Sequence, residues 1–358
     1  MTAVHQFLAT FAPHDAVGAH AVHAQRVLRG MGLESDLYAG GIRPAPGVEV
    51  RPYSDYRGGG DAHLLYHLST GSEVAEFLRR RPEPLVLDHH NVTPPRFVER
   101  WDPAAAAELV VGECQLRALA PAAELGLAVS EWNRRDLEDA GCRRTAVAPV
   151  LVDLDAAQAE PDRRVLEELL QGKRAGSIDW LFVGRLAPHK CQHDVVAAFA
   201  AYRRLHDPHA RLRLVGAPAS PAYAAALGAT VERLGLAGAV DLTGPVSAGA
   251  LGAHYRAAGV LVCLSDHEGF CVPLLEAMAA GVPVVAYAAG AVPETVGDAA
   301  LLLPAKDPLT VAEAVHRVAG DERLRAALVA AGRERVAAFG LARAAKAFEA
   351  RIAELLAG

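Results

Sequence analysis

The chain has 358 residues, more than one ordinary core accommodates, so two domains are expected. Apolar residues make up 52% and charged residues 22%, a globular balance that excludes a disordered or fibrous chain. A net charge of −6, without a basic block or a basic–aromatic stripe, argues against nucleic acid as a partner.

Strand-like apolar runs alternate with helical stretches throughout, the mark of parallel doubly wound sheets. In the first half, strands are expected at 4–11, 35–39, 63–68, 85–89, 126–130 and 145–150. Helices are expected at 20–31, 73–80, 104–120 and 131–140. Residues 153–174 are charged and lack a core pattern, which places the interdomain connection there. The second half reads as strands at 180–183, 212–215, 240–243, 259–264, 282–287 and 301–303. Helices at 190–206, 221–235, 247–257 and 273–280 lie between them, and 308–357 reads as helical to the end.

Five cysteines, at 114, 142, 191, 263 and 271, form no Cys-x-x-Cys or other close pair of metal-site spacing. Their odd number and scatter fit reduced, mostly buried thiols and a cytoplasmic protein. Residues 1–10 lack a basic flank and read as a strand, not a signal peptide. The nearly apolar stretch 271–293 is broken by Glu276 and by Gly281, Val282 and Pro283 into helix, turn and strand. No transmembrane segment is therefore expected, which leaves peripheral contact with a membrane surface open.

The densest chemistry lies in 265–294. Glu268 follows a buried strand, and Glu276 lies eight positions on, in an apolar helix whose first turn accepts Pro273. That spacing puts Glu276 in the first turn or so, beside the unpaired donors of the helix end. A strand–turn–helix with a positive helix end and two acids suits a ligand both anionic and rich in hydroxyls, such as a sugar nucleotide. A second signal, Gly184-Arg185 with Lys190 five residues later, follows the first strand of the second half. It puts two permanent cations where a leaving diphosphate would gain charge.

The Glu268-x7-Glu276 string, with Gly269, Phe270, Pro273, Ala277, Met278 and the following Gly281–Val285 run, resembles the signature of the retaining glycosyltransferases of family 4, glycosyl-transferase group 1. The Gly-Arg-x4-Lys spacing resembles that family's diphosphate-binding pair. The resemblance implies an α/β GT-B fold, two Rossmann-like domains facing one cleft. It implies an acceptor-side domain over 1–160, a nucleotide-sugar domain over 161–340, and a helix at 341–358 that crosses back to the first domain.

It also implies roles. Glu268 is expected to bind donor-sugar hydroxyls, Glu276 the ribose, and Arg185 and Lys190 the diphosphate. Gly184 lets the chain turn closely at the strand end, and the amides of Gly269, Phe270, Cys271 and Val272 approach the same region. Cys271 stands where many relatives have glycine. Gly18, in the first strand-to-helix loop, is expected near the donor phosphate or as packing relief at a helix start. His90, rather than its neighbour His89, resembles the family's strand-end histidine beside the transferred sugar.

The implied reaction moves a hexose from a nucleoside-diphosphate sugar, GDP-mannose first and UDP-glucose or UDP-N-acetylglucosamine next, to an acceptor hydroxyl with retention. The acceptor is left as a polysaccharide, a lipid-linked sugar or a natural product. A sugar-nucleotide epimerase and a noncatalytic sugar-nucleotide-binding protein are the competing classes.

No metal is expected. His189-x3-His193 lacks a zincin acid, and the pairs His20/His23 and His63/His67 lack nearby ligands in sequence. Asp153-x-Asp155 sits in the connection rather than at a strand end. No cofactor is expected either, because neither a dinucleotide-binding glycine fingerprint nor a P-loop is present.

Overall fold

Two parallel sheets organise the chain, one of seven strands and one of six. The computed structural model describes residues 2–12, 15–154, 160–174 and 176–357, and the counts given are of these residues. They divide into a first unit, Met1–Val152 with Phe339–Gly358, and a second, Asp153–Ala338.

The first unit runs β1 (Ala3–Phe11), α1 (Ala16–Gly30), β2 (Leu37–Ile42), β3 (Val50–Pro52), β4 (Ala62–Leu68), α2 (Glu73–Leu78), β5 (Leu85–His89), α3 (Pro103–Leu119), β6 (Leu125–Ala128), α4 (Glu131–Asp139) and β7 (Thr145–Val147). Its strand order is β3-β2-β1-β4-β5-β6-β7. The order reverses between β1 and β4, so the loops after these strands diverge and open a crevice at their carboxyl ends. The edge strand β3 has only three residues and ends in Pro52, too short for periodicity to reveal.

The second unit contains α5 (Arg163–Leu170), β8 (Trp180–Val183), α6 (Gln192–Leu205), β9 (Leu212–Val215), α7 (Pro221–Arg233), β10 (Val240–Gly244), α8 (Ala248–Ala257), β11 (Val260–Cys263), α9 (Val272–Ala279), β12 (Val284–Tyr287), α10 (Val292–Val296), β13 (Ala300–Leu303), α11 (Pro308–Gly320) and α12 (Glu322–Phe339). Its order, β10-β9-β8-β11-β12-β13, reverses between β8 and β11. Trp180, Phe182, Phe199, Tyr202, Leu214 and Val262 fill the core behind that reversal.

The last element, α13 (Leu341–Leu356), belongs to the first unit. Ala344, Phe348, Ile352 and Leu355 recur on one helical face and pack with Val4, Leu65, Val86 and Leu127. The helical stretch 308–357 consists of three helices, α11, α12 and α13. It breaks at Asp321, whose carboxylate accepts the Leu324 N–H, and again at Gly340. The charged connection also differs from expectation. The second unit begins at Asp153, earlier than the 160/161 boundary, and α5 packs against α8. Asp155 lies outside the described residues.

Candidate functional site

In the second unit, the loops after β8 and β11 meet at the point of strand-order reversal. Gly184 and Arg185 directly follow β8, and Arg185 is exposed. Gln192 at the start of α6 donates to the Arg185 carbonyl at 2.9 Å and holds that turn. Lys190 closes a short 3-10 turn, Pro188–Lys190, instead of opening the following helix. The Asp266 N–H donates to the His189 carbonyl at 2.8 Å, which ties this turn to the loop after β11.

Lys190 and Glu268 then meet. Lys190 Nζ donates to Glu268 Oε2 at 2.6 Å, with Glu268 only 5% exposed. Burial works to raise the Glu268 carboxyl, and the Lys190 ammonium and its hydrogen bond outweigh that, so the group lies below its usual range. Burial likewise works to lower Lys190, and Glu268 holds it above its usual value. His189, beside them, is pushed down to about 3 by burial and then by the Lys190 charge, so it is neutral at pH 7. A cavity of about 30 Å³, room for a water molecule, adjoins Gly184, Lys190, Glu268 and Cys271.

The segment carrying Glu268 is held from behind. Gly290 has φ +56, and a Cβ there would lie 2.5 Å from the Glu268 carbonyl oxygen. The Ala291 N–H donates to that same oxygen at 2.9 Å, and Thr295 Oγ1 donates to the Phe270 carbonyl at 2.6 Å. Phe270 is buried, Gly269 precedes it, and Val272 is the first residue of α9. Cys271, the N-cap, has φ +73.

Glu276 differs from expectation. Because α9 starts at Val272, Glu276 is beyond the first turn and away from the unpaired helix-end donors. It instead accepts a 2.7 Å hydrogen bond from the buried Tyr255 hydroxyl. Burial raises its carboxyl, with the tyrosine acting in the opposite direction.

In the first unit, Gly18 is buried early in α1, where a Cβ would overlap the Ala12 carbonyl oxygen. Its smallness accommodates the chain's own backbone, the packing alternative. Pro13 and His14, in the same loop, lie outside the described residues.

His90 follows β5 in a cluster that spacing did not reveal. His20 Nε2, His67 Nδ1 and His90 Nε2 each lie 3.0 Å from Asp88 Oδ2, and all four side chains are buried. His67 Nε2 pairs with Gln6 Oε1 at 2.8 Å. His20 and His67 lack nearby ligands in sequence, but parallel strands β4 and β5 and helix α1 bring them together in space. His20 Nδ1 accepts the Leu151 N–H at 2.9 Å. Its hydrogen therefore sits on Nε2, facing Asp88, and the ring offers no lone pair to a cation. His67 and His90 hydrogen-bond with Asp88, and His20 Nε2 lies beside the same carboxylate. Burial drives His20 down to about 4. For Asp88, burial works upward and the His90 and His20 rings outweigh it, leaving the carboxyl well below its usual range.

His89 points elsewhere, with Nε2 3.3 Å from Asp136. Sequence reasoning also missed Tyr255, Gly290, Thr295 and Lys306. Lys306 bridges Asp194 and Asp266 at 2.8 and 2.6 Å. A strand-end position was the only signal for it.

Residues 171–335 match the family model described as glycosyl transferases group 1. A D-inositol 3-phosphate glycosyltransferase of Geodermatophilus obscurus is 35% identical over 61% of this chain and 50% of its own length. A GDP-mannose-dependent alpha-(1-6)-phosphatidylinositol monomannoside mannosyltransferase of Mycobacterium tuberculosis is 31% identical over 64% of this chain and 61% of its own. The chain thus spans between half and two thirds of these relatives. Sucrose-phosphate synthase from Thermosynechococcus elongatus shares the fold, with a TM-score of 0.78, 19% identity and 99% of each chain covered. Among the described residues, no helix is long and apolar enough to cross a membrane.

Proposed function

We propose that the protein, whose residues 171–335 match the model of the glycosyl transferases group 1 family in a chain of GT-B fold, transfers a hexose from a nucleoside-diphosphate sugar to an acceptor hydroxyl with retention of configuration. The observation that carries this reading is the pairing of Lys190 with Glu268 at 2.6 Å at the sheet's reversal point, with Arg185 exposed on the neighbouring loop. A cation and a carboxylate held together suit the two ends of one ligand. The diphosphate takes the cations, and the sugar hydroxyls take the carboxylate.

Each residue then has a task. Arg185 and Lys190 stabilise the charge that grows on the leaving diphosphate, an interaction stronger in the transition state than before it. Glu268 orients the sugar, and Glu276, steadied by Tyr255, receives the ribose hydroxyls. Attack comes from the same face as departure, with the leaving phosphate taking the acceptor's proton.

GDP-mannose is the first donor to test, in keeping with the name of the mycobacterial relative. Thermal-shift titration of the chain with GDP-mannose, UDP-glucose and UDP-N-acetylglucosamine, followed by product analysis with glycosyl acceptors, tests the proposal. A donor that stabilises the protein and is consumed only with an acceptor supports transfer. A 2-epimer of the donor sugar would identify an epimerase. Stabilisation without turnover would identify a binding protein.

A further inference from the structure

Two thiols flank Glu268. Cys263 ends β11 and is buried, Cys271 is the N-cap of α9, and their sulfurs lie 3.9 Å apart. Cys271 occupies the left-handed region at φ +73, where a side chain costs about 1–2 kcal/mol relative to glycine. The other three cysteines are placed differently. Cys114 is exposed, the Cys142 sulfur faces the Arg144 carbonyl, and the Cys191 sulfur faces Asp266.

We propose that Cys263 and Cys271 form a reversible disulfide, a modification site through which hydroperoxides act on the loop carrying Glu268. One of the two sulfurs, as its thiolate, attacks the peroxide oxygen and becomes a sulfenic acid as the O–O bond breaks. The other sulfur then displaces water from it, forming the S–S bond. Overall, two thiols and one hydroperoxide give one disulfide, one water and the corresponding alcohol, or a second water when the oxidant is hydrogen peroxide. The sulfurs must close by about 2 Å to reach disulfide length. Glu268 and Phe270 are pinned by Ala291 and Thr295, so that closure strains the segment between them and displaces the carboxylate. The consequence for donor binding rests on the proposed function, whereas the disulfide itself does not.

The test treats the full chain with hydrogen peroxide and maps its peptides by mass spectrometry without reduction. A Cys263–Cys271 cross-linked peptide, lighter by two hydrogens and reversed by dithiothreitol, is expected. Donor turnover should fall on the order of 100-fold in the cross-linked form, the scale of a 1 Å misplacement. It should recover on reduction, and Cys263→Ser should keep its turnover through the same treatment. Absence of the cross-link while Cys114 is oxidised would overturn the proposal, as would equal inactivation of Cys263→Ser. If the cross-link forms in a protein that binds no sugar nucleotide, the disulfide stands and the functional reading falls.

Discussion

Lys190 Nζ lies 2.6 Å from Glu268 Oε2, so the cation proposed for the diphosphate and the acid proposed for the sugar neutralise each other before any donor arrives. Arg185 has no such role, because it is exposed. Removing either cation should lower turnover severely, but only one removal should harm the fold. Lys190→Ala leaves a buried carboxylate unpaired and should cost about 1–3 kcal/mol of stability in the second unit. Arg185→Ala should leave the unfolding midpoint unchanged. Lys190→Ala combined with Glu268→Gln should recover stability without recovering activity. Urea melts and donor kinetics on the three variants check this, and full activity in both single variants would refute the diphosphate assignment.

The two acids should fail differently. Glu268→Gln removes the charge proposed to face the reacting sugar and should lower kcat. Glu276→Gln should mainly raise KM, since the ribose changes little during reaction. Tyr255→Phe should resemble Glu276→Gln in milder form, because it frees the carboxylate without altering it. Steady-state kinetics in donor concentration separate these outcomes, and an unchanged kcat in Glu268→Gln would contradict its placement at the sugar.

Gly290→Ala should abolish the proposed turnover although residue 290 bears no chemistry. The added methyl would meet the Glu268 carbonyl at 2.5 Å, at a backbone φ of +56 that alanine disfavours. The loop must move, and Glu268 with it. Donor titration by calorimetry should show weakened binding, whereas Gly228→Ala, where a Cβ meets nothing within 4 Å, should leave binding intact.

Acid should destabilise the first unit through His20. Its folded pKa of about 4 lies below the ordinary 6.5, so between these values the unfolded chain binds more protons than the folded one. Stability is complete above pH 6.5 and falls as pH drops towards 4, by on the order of 3 kcal/mol for this ring. The depressed Asp88 carboxyl adds a further loss at lower pH. Unfolding midpoints at pH 7 and pH 5 should therefore differ in the native chain and differ less in His20→Gln.

Turnover should persist in excess EDTA, because the proposed function gives the charge of the leaving diphosphate to two fixed cations, Arg185 and Lys190. Activity abolished by chelator and restored by Mg2+ would assign that charge stabilisation to a metal instead.

What the sequence determined by itself is local and periodic. The strands at 85–89, 180–183 and 212–215 were legible to the residue, because short β-branched and leucine-rich runs bounded by polar turns admit little else. The spacings of Arg185 with Lys190 and of Glu268 with Glu276 were visible because each pair lies along a single strand–loop–helix, after β8 and after β11. The tertiary structure decided what meets across elements. Parallel pairing placed His67 on β4 beside Asp88 on β5, and α1 delivered His20 to the same carboxylate, joining residues far apart in sequence. Strand order put the loop after β8 against the loop after β11, and so paired Lys190 with Glu268 across 78 positions. No periodicity reports such a meeting, because contact between distant residues is set by sheet order and by the packing of helices on it, and neither is written in any local window of the chain.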